Sequence, residues 1–288
     1  MTWEKSDRLK ALPPYLFVEI DKAKREAIAA GRDVINLGVG DPDRPTFDFI
    51  VEAMRQAVGD PASHRYPFDE GVPQFRAGCA AFMKNRYGVD LDPAREIITS
   101  IGSKDAIAHL PLAVVNPGQV VLVPRPGYPV YNSASIFAGA EPYYLNLTAD
   151  NDWRPDLDAI PAEVAERARL IYVNYPNNPT SAVVDLAWYE GLVDWARRHR
   201  VIIAADAAYN EMGYEVDPPS ILQVEGASEV AVEFHSLSKT FNMTGWRLGW
   251  VAGNAEVIAA LATVKGNVDS GQFNAVQWAG LAALEGYR

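Results

Sequence analysis

Five short blocks of this 288-residue chain place reactive side chains where an apolar run breaks off or a helix begins. The first is Phe234-His235-Ser236-Leu237-Ser238-Lys239-Thr240, a strand-like stretch that turns into Ser-x-Ser-Lys. A lysine in that place can condense with an aldehyde as a Schiff base. Ser236 and Ser238 could hydrogen-bond a phosphate, and Arg247 further on offers a planar fork that suits a phosphate dianion. In the second block the apolar run at 201–205 delivers Asp206, followed by Tyr209. An acid buried at a strand end needs a cationic partner, and a protonated pyridine nitrogen is one. Tyr209 could then reach an oxygen on the same ring.

The third block, Val173-Asn174-Tyr175-Pro176-Asn177-Asn178-Pro179-Thr180, runs a strand into a loop whose prolines fix its path and present Asn178 as a second donor to that oxygen. The fourth, Thr99-Ser100-Ile101-Gly102-Ser103-Lys104-Asp105, opens a helix. Its free backbone N–H groups at Ser103, with Lys104 beside them, make an anion site. The fifth, Pro124-Arg125-Pro126-Gly127-Tyr128-Pro129-Val130-Tyr131, holds Tyr128 between Gly and Pro, where it could lie flat on an aromatic ring. Each block has an ordinary alternative: a solvated turn lysine, an aspartate or serine capping a turn or helix, an Asn-Pro turn, a Pro-rich turn with a surface tyrosine. Taken together they supply a Schiff-base lysine, a pyridine partner, two donors to a ring oxygen, a phosphate cradle and a stacking aromatic. That is the set pyridoxal 5′-phosphate (PLP) requires.

The elements that must position these residues follow from hydrophobic periodicity. Strands are expected over 34–37, 120–123, 143–147, 170–173, 201–205, 230–234 and 248–252. Helices are expected over 15–30, ended by Gly31, and over 47–58, 72–87, 103–115, 130–138, 186–199, 255–265 and 273–284. Several strands are continuous apolar runs, as in strands buried on both faces, and they alternate with helices. The expected fold is therefore α/β, a mostly parallel sheet sandwiched by helices, with ligands at the carboxyl ends of the strands. Residues 1–45 read as an N-terminal arm and part of a small domain, and 46–288 as the large cofactor domain.

Composition excludes several classes. Lys and Arg number 26 against 37 Asp and Glu, a net charge of −11, and no basic run exceeds two residues. A nucleic-acid partner is not expected. The polar start of the chain lacks the apolar core of a signal peptide, and no apolar run approaches membrane-spanning length. One cysteine, Cys79, permits no intrachain disulfide. The expectation is a cytoplasmic protein with no membrane partner and no bound metal.

The blocks Tyr175-Pro-Asn-Asn-Pro-Thr180, Asp206-Ala-Ala-Tyr209, Ser236-Leu-Ser-Lys-Thr240 and Gly245-Trp-Arg247, in this order and spacing, resemble fold-type I PLP enzymes of the class I/II aminotransferase family. The resemblance runs from about Asn36 to the end. It implies that Lys239 binds the cofactor's aldehyde, that Asp206 faces the pyridine nitrogen, and that Asn178 and Tyr209 face the ring oxygen. It assigns Ser103, Lys104, Ser236, Ser238 and Arg247 to the phosphate and Tyr128 to the ring face. Tyr66 is implied to reach the phosphate of a neighbouring subunit, hence a homodimer with shared active sites. A finer resemblance, to the diaminopimelate aminotransferases within that family, lies in Asn36-Leu-Gly-Val-Gly-Asp-Pro-Asp43, Ile101-Gly-Ser-Lys-Asp-Ala-Ile-Ala-His109, Pro126-Gly-Tyr-Pro-Val-Tyr131, Glu233-Phe-His-Ser-Leu-Ser-Lys239 and above all Lys265-Gly-Asn-Val-Asp-Ser-Gly-Gln272. It implies amino transfer between LL-2,6-diaminopimelate and 2-oxoglutarate, with substrate contacts at Tyr15, Gly40 and Asn267. Asp69 or Glu70 could take the distal ammonium by charge.

Two departures stand out. Ser181 occupies a place where the family usually has Gly, so a positive φ there would carry a cost. The family's small domain and its carboxylate-gripping arginine are expected to lie beyond the chain's end, which would make the chain a fragment. An aminotransferase for another amino acid, a β-lyase, a PLP-binding regulator and a PLP-binding chain without turnover all remain alternatives.

Overall fold

The computed structural model describes residues 3–14, 16–38, 40–67 and 70–287, with no side-chain description at 16 and 17. The chain divides into two compact units, Met1–Arg44 and Pro45–Arg288. In the first unit α1 spans Asp7–Lys10 and α2 spans Leu16–Ala29. Asp21 on α2 pairs with Lys24 and Arg25, one turn on. Gly31 follows with φ +75°, and the next N–H, that of Arg32, closes back on the Ala27 carbonyl at 3.1 Å. This left-handed stop is the one the sequence anticipates. The strand expected at 34–37 is not formed. Ile35 and Leu37 are 85% and 88% exposed, and no described strand pairs with them. Without a ladder an apolar run has no way to satisfy its backbone as β structure.

The second unit contains one seven-stranded sheet. Its strands are β1 (Ile97–Ser100), β2 (Val120–Arg125), β3 (Glu141–Asn146), β4 (Ala168–Asn174), β5 (Ile202–Asp206), β6 (Ala231–Ser236) and β7 (Gly249–Gly253). The spatial order is β1-β7-β6-β5-β4-β2-β3. All neighbours are parallel except β7, which runs antiparallel to both β1 and β6. Every residue of β1, β5, β6 and β7 is buried. Such strands carry apolar residues on both faces because helices cover both faces.

The helices are α3 (Asp48–Gly59), α4 (Pro73–Tyr87), α5 (Ser103–Val114), α6 (Pro129–Phe137), α7 (Ala162–Arg167), α8 (Leu186–His199), α9 (Ala227–Val230), α10 (Leu237–Thr240), α11 (Ala255–Val268) and α12 (Asn274–Glu285). On one face Ile98, Val121, Leu170, Ile202, Val232 and Val251 pack against α5, α6 and α11. On the other, Leu122, Ile171 and Ile203 meet α8, while Ile97, Trp250 and Ala252 meet α4 and α12. Alternation along each strand sends successive side chains to opposite layers. The order reverses between β2 and β4, the place where α/β sheets leave a ligand-binding crevice at the carboxyl ends. Asn174 and Asp206, aligned in register on β4 and β5, stand at those ends. Among the described residues no helix is long and apolar enough to cross a membrane.

Candidate active site

Lys239 lies on α10, the single turn that follows β6 directly. Ser236 caps that turn, its Oγ accepting from Ser238 N at 3.2 Å, and Leu237 N donates to Leu248 O at 3.2 Å. Leu237 and Phe241 on either side of Lys239 are buried in the core beneath. The lysine is therefore half-buried on a turn whose backbone is held at both ends.

Asp206 is 5% exposed. Its Oδ2 accepts from Tyr131 Oη at 2.7 Å and its Oδ1 from Ala208 N at 3.3 Å. Its backbone carbonyl accepts from Asn174 Nδ2 at 2.8 Å. Burial pushes its carboxyl up to about 6, against the opposing pull of Tyr131, the Ala208 N–H and the neighbouring His235. Tyr131 is itself fully buried and stacked on Tyr172, with centroids 4.7 Å apart. The phenol cannot swing away without opening the core.

Asn174 works on both sides of the crevice. Its Oδ1 accepts from Asn178 N at 2.7 Å, which fixes the loop after β4 to the end of β5. Asn177 braces the same loop, accepting from Thr180 N and Oγ1 at 3.2 and 2.8 Å. Ser181 takes φ +62°, the left-handed conformation that a glycine would adopt at less cost, and its N–H donates to Asn177 O at 2.8 Å. So supported, Asn178 Nδ2 donates to Tyr209 Oη at 3.3 Å. Burial and the nearby Asp206 charge raise the Tyr209 phenol above its ordinary range.

Gly102 precedes α5 with φ +73°, and a Cβ there would stand 2.3 Å from Arg247 Nη2. The guanidinium thus lies over the N-terminus of α5, where Ser103 and Lys104 begin the helix. Arg247 is exposed, has φ +56°, and its Nη1 donates to Thr244 O at 2.8 Å. The Lys104 ammonium sits 5.7 Å from the centre of the half-buried Tyr128 ring.

Behind this helix end is an ionic cluster of partly buried groups around a fully buried lysine. Lys265 is fully buried, and its Nζ donates to Asp105 Oδ2 at 2.6 Å and Asp269 Oδ2 at 2.8 Å. His109 Nδ1 lies 3.0 Å from Asp105 Oδ1. Although Asp105, His109 and Asp269 bring possible ligand atoms within 4.8 Å of one another, the lysine already supplies the cation between the carboxylates. Burial raises the Asp105 carboxyl, but His109, Lys265 and the Ile101 N–H together outweigh it and hold the group down at about 2.

The structure thus brings Asp206, Asn178 and Tyr209 to one crevice and Ser103 and Lys104 beneath Arg247. Tyr66 is 89% exposed. Asn267 is exposed on α11, with Nδ2 donating to Thr263 O at 2.8 Å. Glu70 is exposed and its carbonyl accepts from Thr99 N. Gly40, in the first unit, is exposed with open space where a Cβ would be. Tyr15 and Asp69 lie outside the described residues. Sequence reasoning quotes Tyr131, Asn174 and Lys265 within its blocks but gives them no role. The signal for Lys265 is its place on the apolar stripe of α11 with Val257, Ile258 and Leu261. A cavity of about 990 Å³ lined by Phe82, Arg86, Glu211 and Leu281 contains none of the nominated residues.

A flat aromatic aldehyde bearing a phosphate and a basic ring nitrogen would find a partner for each of its groups here. Comparison with known proteins gives the family. The model of the family described as aminotransferase class I and II matches residues 32–288. A curated LL-diaminopimelate aminotransferase of Aquifex aeolicus is 58% identical over 98% of this chain and 73% of its own length. One from Syntrophobacter fumaroxidans is 55% identical over 99% of this chain and 74% of its own length. Among solved structures, substrate-bound BacF from Bacillus subtilis superposes with a TM-score of 0.95 at 37% identity, covering 99% of this chain and 72% of that one. Aspartate aminotransferase from Thermus thermophilus with maleate gives 0.89 at 30% identity, covering 98% and 73%. With its sheet, its crevice and its sequence in agreement, the chain belongs to the class I and II aminotransferase family.

Proposed function

We propose that this protein is a PLP-dependent aminotransferase that moves an amino group between LL-2,6-diaminopimelate and 2-oxoglutarate, in lysine biosynthesis. The observation that carries the substrate is the 51–58% identity to relatives named for that activity, over nearly the whole chain. The cofactor rests on the fit of the crevice: a turn-borne lysine, a buried acid held at about 6, a paired amide and phenol, and a guanidinium over a helix N-terminus.

When bound, PLP supplies an aldehyde that condenses with amines and a ring that takes up the electron pair left behind when a proton leaves the substrate's α-carbon. Asp206 would hold a proton on the ring nitrogen, with Tyr131 donating to its carboxylate and Asn174 to its backbone carbonyl. Asn178 and Tyr209 donate to the ring oxygen. Ser103, Lys104, Ser236, Ser238 and Arg247 hold the phosphate, and Tyr128 covers the ring face. The Lys239 amine would remove the α-proton of the amino substrate as general base and return it, as general acid, to the carbon on the far side of the shared nitrogen, two atoms along. Tyr66, standing out from the surface, serves the phosphate of a second copy in a homodimer. Gly40, Tyr15 and Asn267 contact substrate.

The test is to load the protein with PLP and follow its visible absorption while titrating LL-diaminopimelate. The expected outcome is loss of the visible band at stoichiometric substrate and its recovery on adding 2-oxoglutarate. A band that ignores LL-diaminopimelate but responds to another amino acid overturns the substrate. A protein that forms no visible band overturns the cofactor.

A further inference from the structure

Apart from Asn267 the block 265–272 is unused by the chemistry above, yet it contains the most buried charge among the described residues. Lys265 has no solvent-exposed side-chain surface, and its ammonium joins two acids on two different segments. A fully buried lysine is costly to keep unless its charge does something specific.

What the two acids hold is informative. Asp105 stands in the first turn of α5 and accepts from Ile101 N at 3.0 Å through Oδ2, the same oxygen that Lys265 grips. That bond fixes the Ile101-Gly102 turn and with it the N-terminal N–H groups of α5. Asp269 accepts from Gly271 N at 2.7 Å, and the next residue, Gln272, donates its side-chain amide to the Arg247 carbonyl. Gln277 Nε2 in turn donates to Gln272 O at 2.7 Å. One limb therefore ends at the helix N-terminus and the other at the backbone of the arginine that lies over it. Charge matters too: an unneutralised Asp105 in the first turn would oppose an anion at that helix end.

We propose that Lys265 is a positioning residue for the cofactor phosphate: its buried ammonium ties Asp105 to Asp269 and so sets the N-terminus of α5 and Arg247 against each other as one cradle. This rests on the reading that the phosphate sits between those two groups.

The experiment measures the affinity of the cofactor-free full chain for PLP and for pyridoxal, which lacks the phosphate, by quenching of tryptophan fluorescence. In K265M the affinity for PLP falls about 10–100-fold, the range that outer supports of a bound group command, while that for pyridoxal changes less than about 2-fold. R247Q is the reference, since it removes a direct phosphate ligand, and shows the same split. No split in R247Q removes the phosphate reading and this proposal with it. A split in R247Q without one in K265M overturns the role of Lys265 alone, as do equal losses for both ligands in K265M. K265M leaves two carboxylates facing each other, so its fold is checked by circular dichroism. If it is unfolded, D269N decides: it keeps Lys265 beside Asp105 but weakens the limb to Arg247. A loss of about 3–10-fold for PLP alone supports the proposal, and unchanged PLP affinity overturns it.

Discussion

Two aspartates of this protein, Asp206 buried and Asp105 partly buried, are driven in opposite directions. Asp105 sits at about 2 and Asp206 at about 6, although the free side chain ionises at 3.8 for both. Burial raises each of them. Asp105 is repaid by a lysine, a histidine and a backbone N–H within 3.0 Å. Asp206 has a phenol and a backbone N–H, neutral donors that do not outweigh burial. The lesson is that one site is electrostatically complete and the other is poised to take a cation from outside the chain. A fully paired acid holds shape, and an acid left raised by burial is a candidate for chemistry.

The largest effect expected from breaking this contrast comes from D206N. Asparagine cannot hold a proton on a ring nitrogen, and turnover is expected to fall on the order of 10²–10⁴-fold in steady-state assays. The same substitution is expected to stabilise the cofactor-free protein. The sign follows from the raised value: the penalty of a buried carboxylate is absent below pH 3.8, grows as pH rises through about 6, and is complete above it. D206N removes it, a gain on the order of 2–3 kcal/mol at neutral pH in urea unfolding, and no gain below pH 3.8.

D105N is expected to do the reverse. The stability from a depressed acid is present above pH 3.8 and is lost as pH falls through about 2. At neutral pH the variant should be less stable by about 2 kcal/mol, and its curve should converge on the wild type in acid. A gap undiminished at pH 2 would mean that packing, not charge, makes the difference. The smallest expected effect is that of Y131F. It removes one donor to the Asp206 carboxylate, so the acid moves further up and cofactor affinity drops about 10-fold, the loss of one charge-assisted hydrogen bond. Equilibrium dialysis with PLP measures it.

The poised site is the one that the sequence makes legible. Lys239, Asp206 and Asn178 each interrupt or follow an apolar strand, and a polar residue in that place is conspicuous because the crevice lies at strand ends. The completed site is hidden. A lysine in a helix ordinarily reads as solvated, and only the helical stripe of Val257, Ile258 and Leu261 marks Lys265 as inward-facing. Tyr131 is hidden for the opposite reason, since a buried tyrosine looks like core until its hydroxyl is seen on Asp206. The direction of β7 could not be read either, because strand periodicity carries no polarity. Neither could β1, whose four residues blend into the turn before α5. At 34–37 local apolarity suggested a strand that no described neighbour pairs with.

The most direct test of the poised site is where the cofactor attaches. PLP-loaded protein is treated with borohydride, which fixes any carbon–nitrogen double bond as a stable amine, and peptides are mapped by mass. The expected result is a single phosphopyridoxyl group on Lys239. A group on Lys104 or another lysine, or unmodified Lys239 at full cofactor loading, would contradict the account.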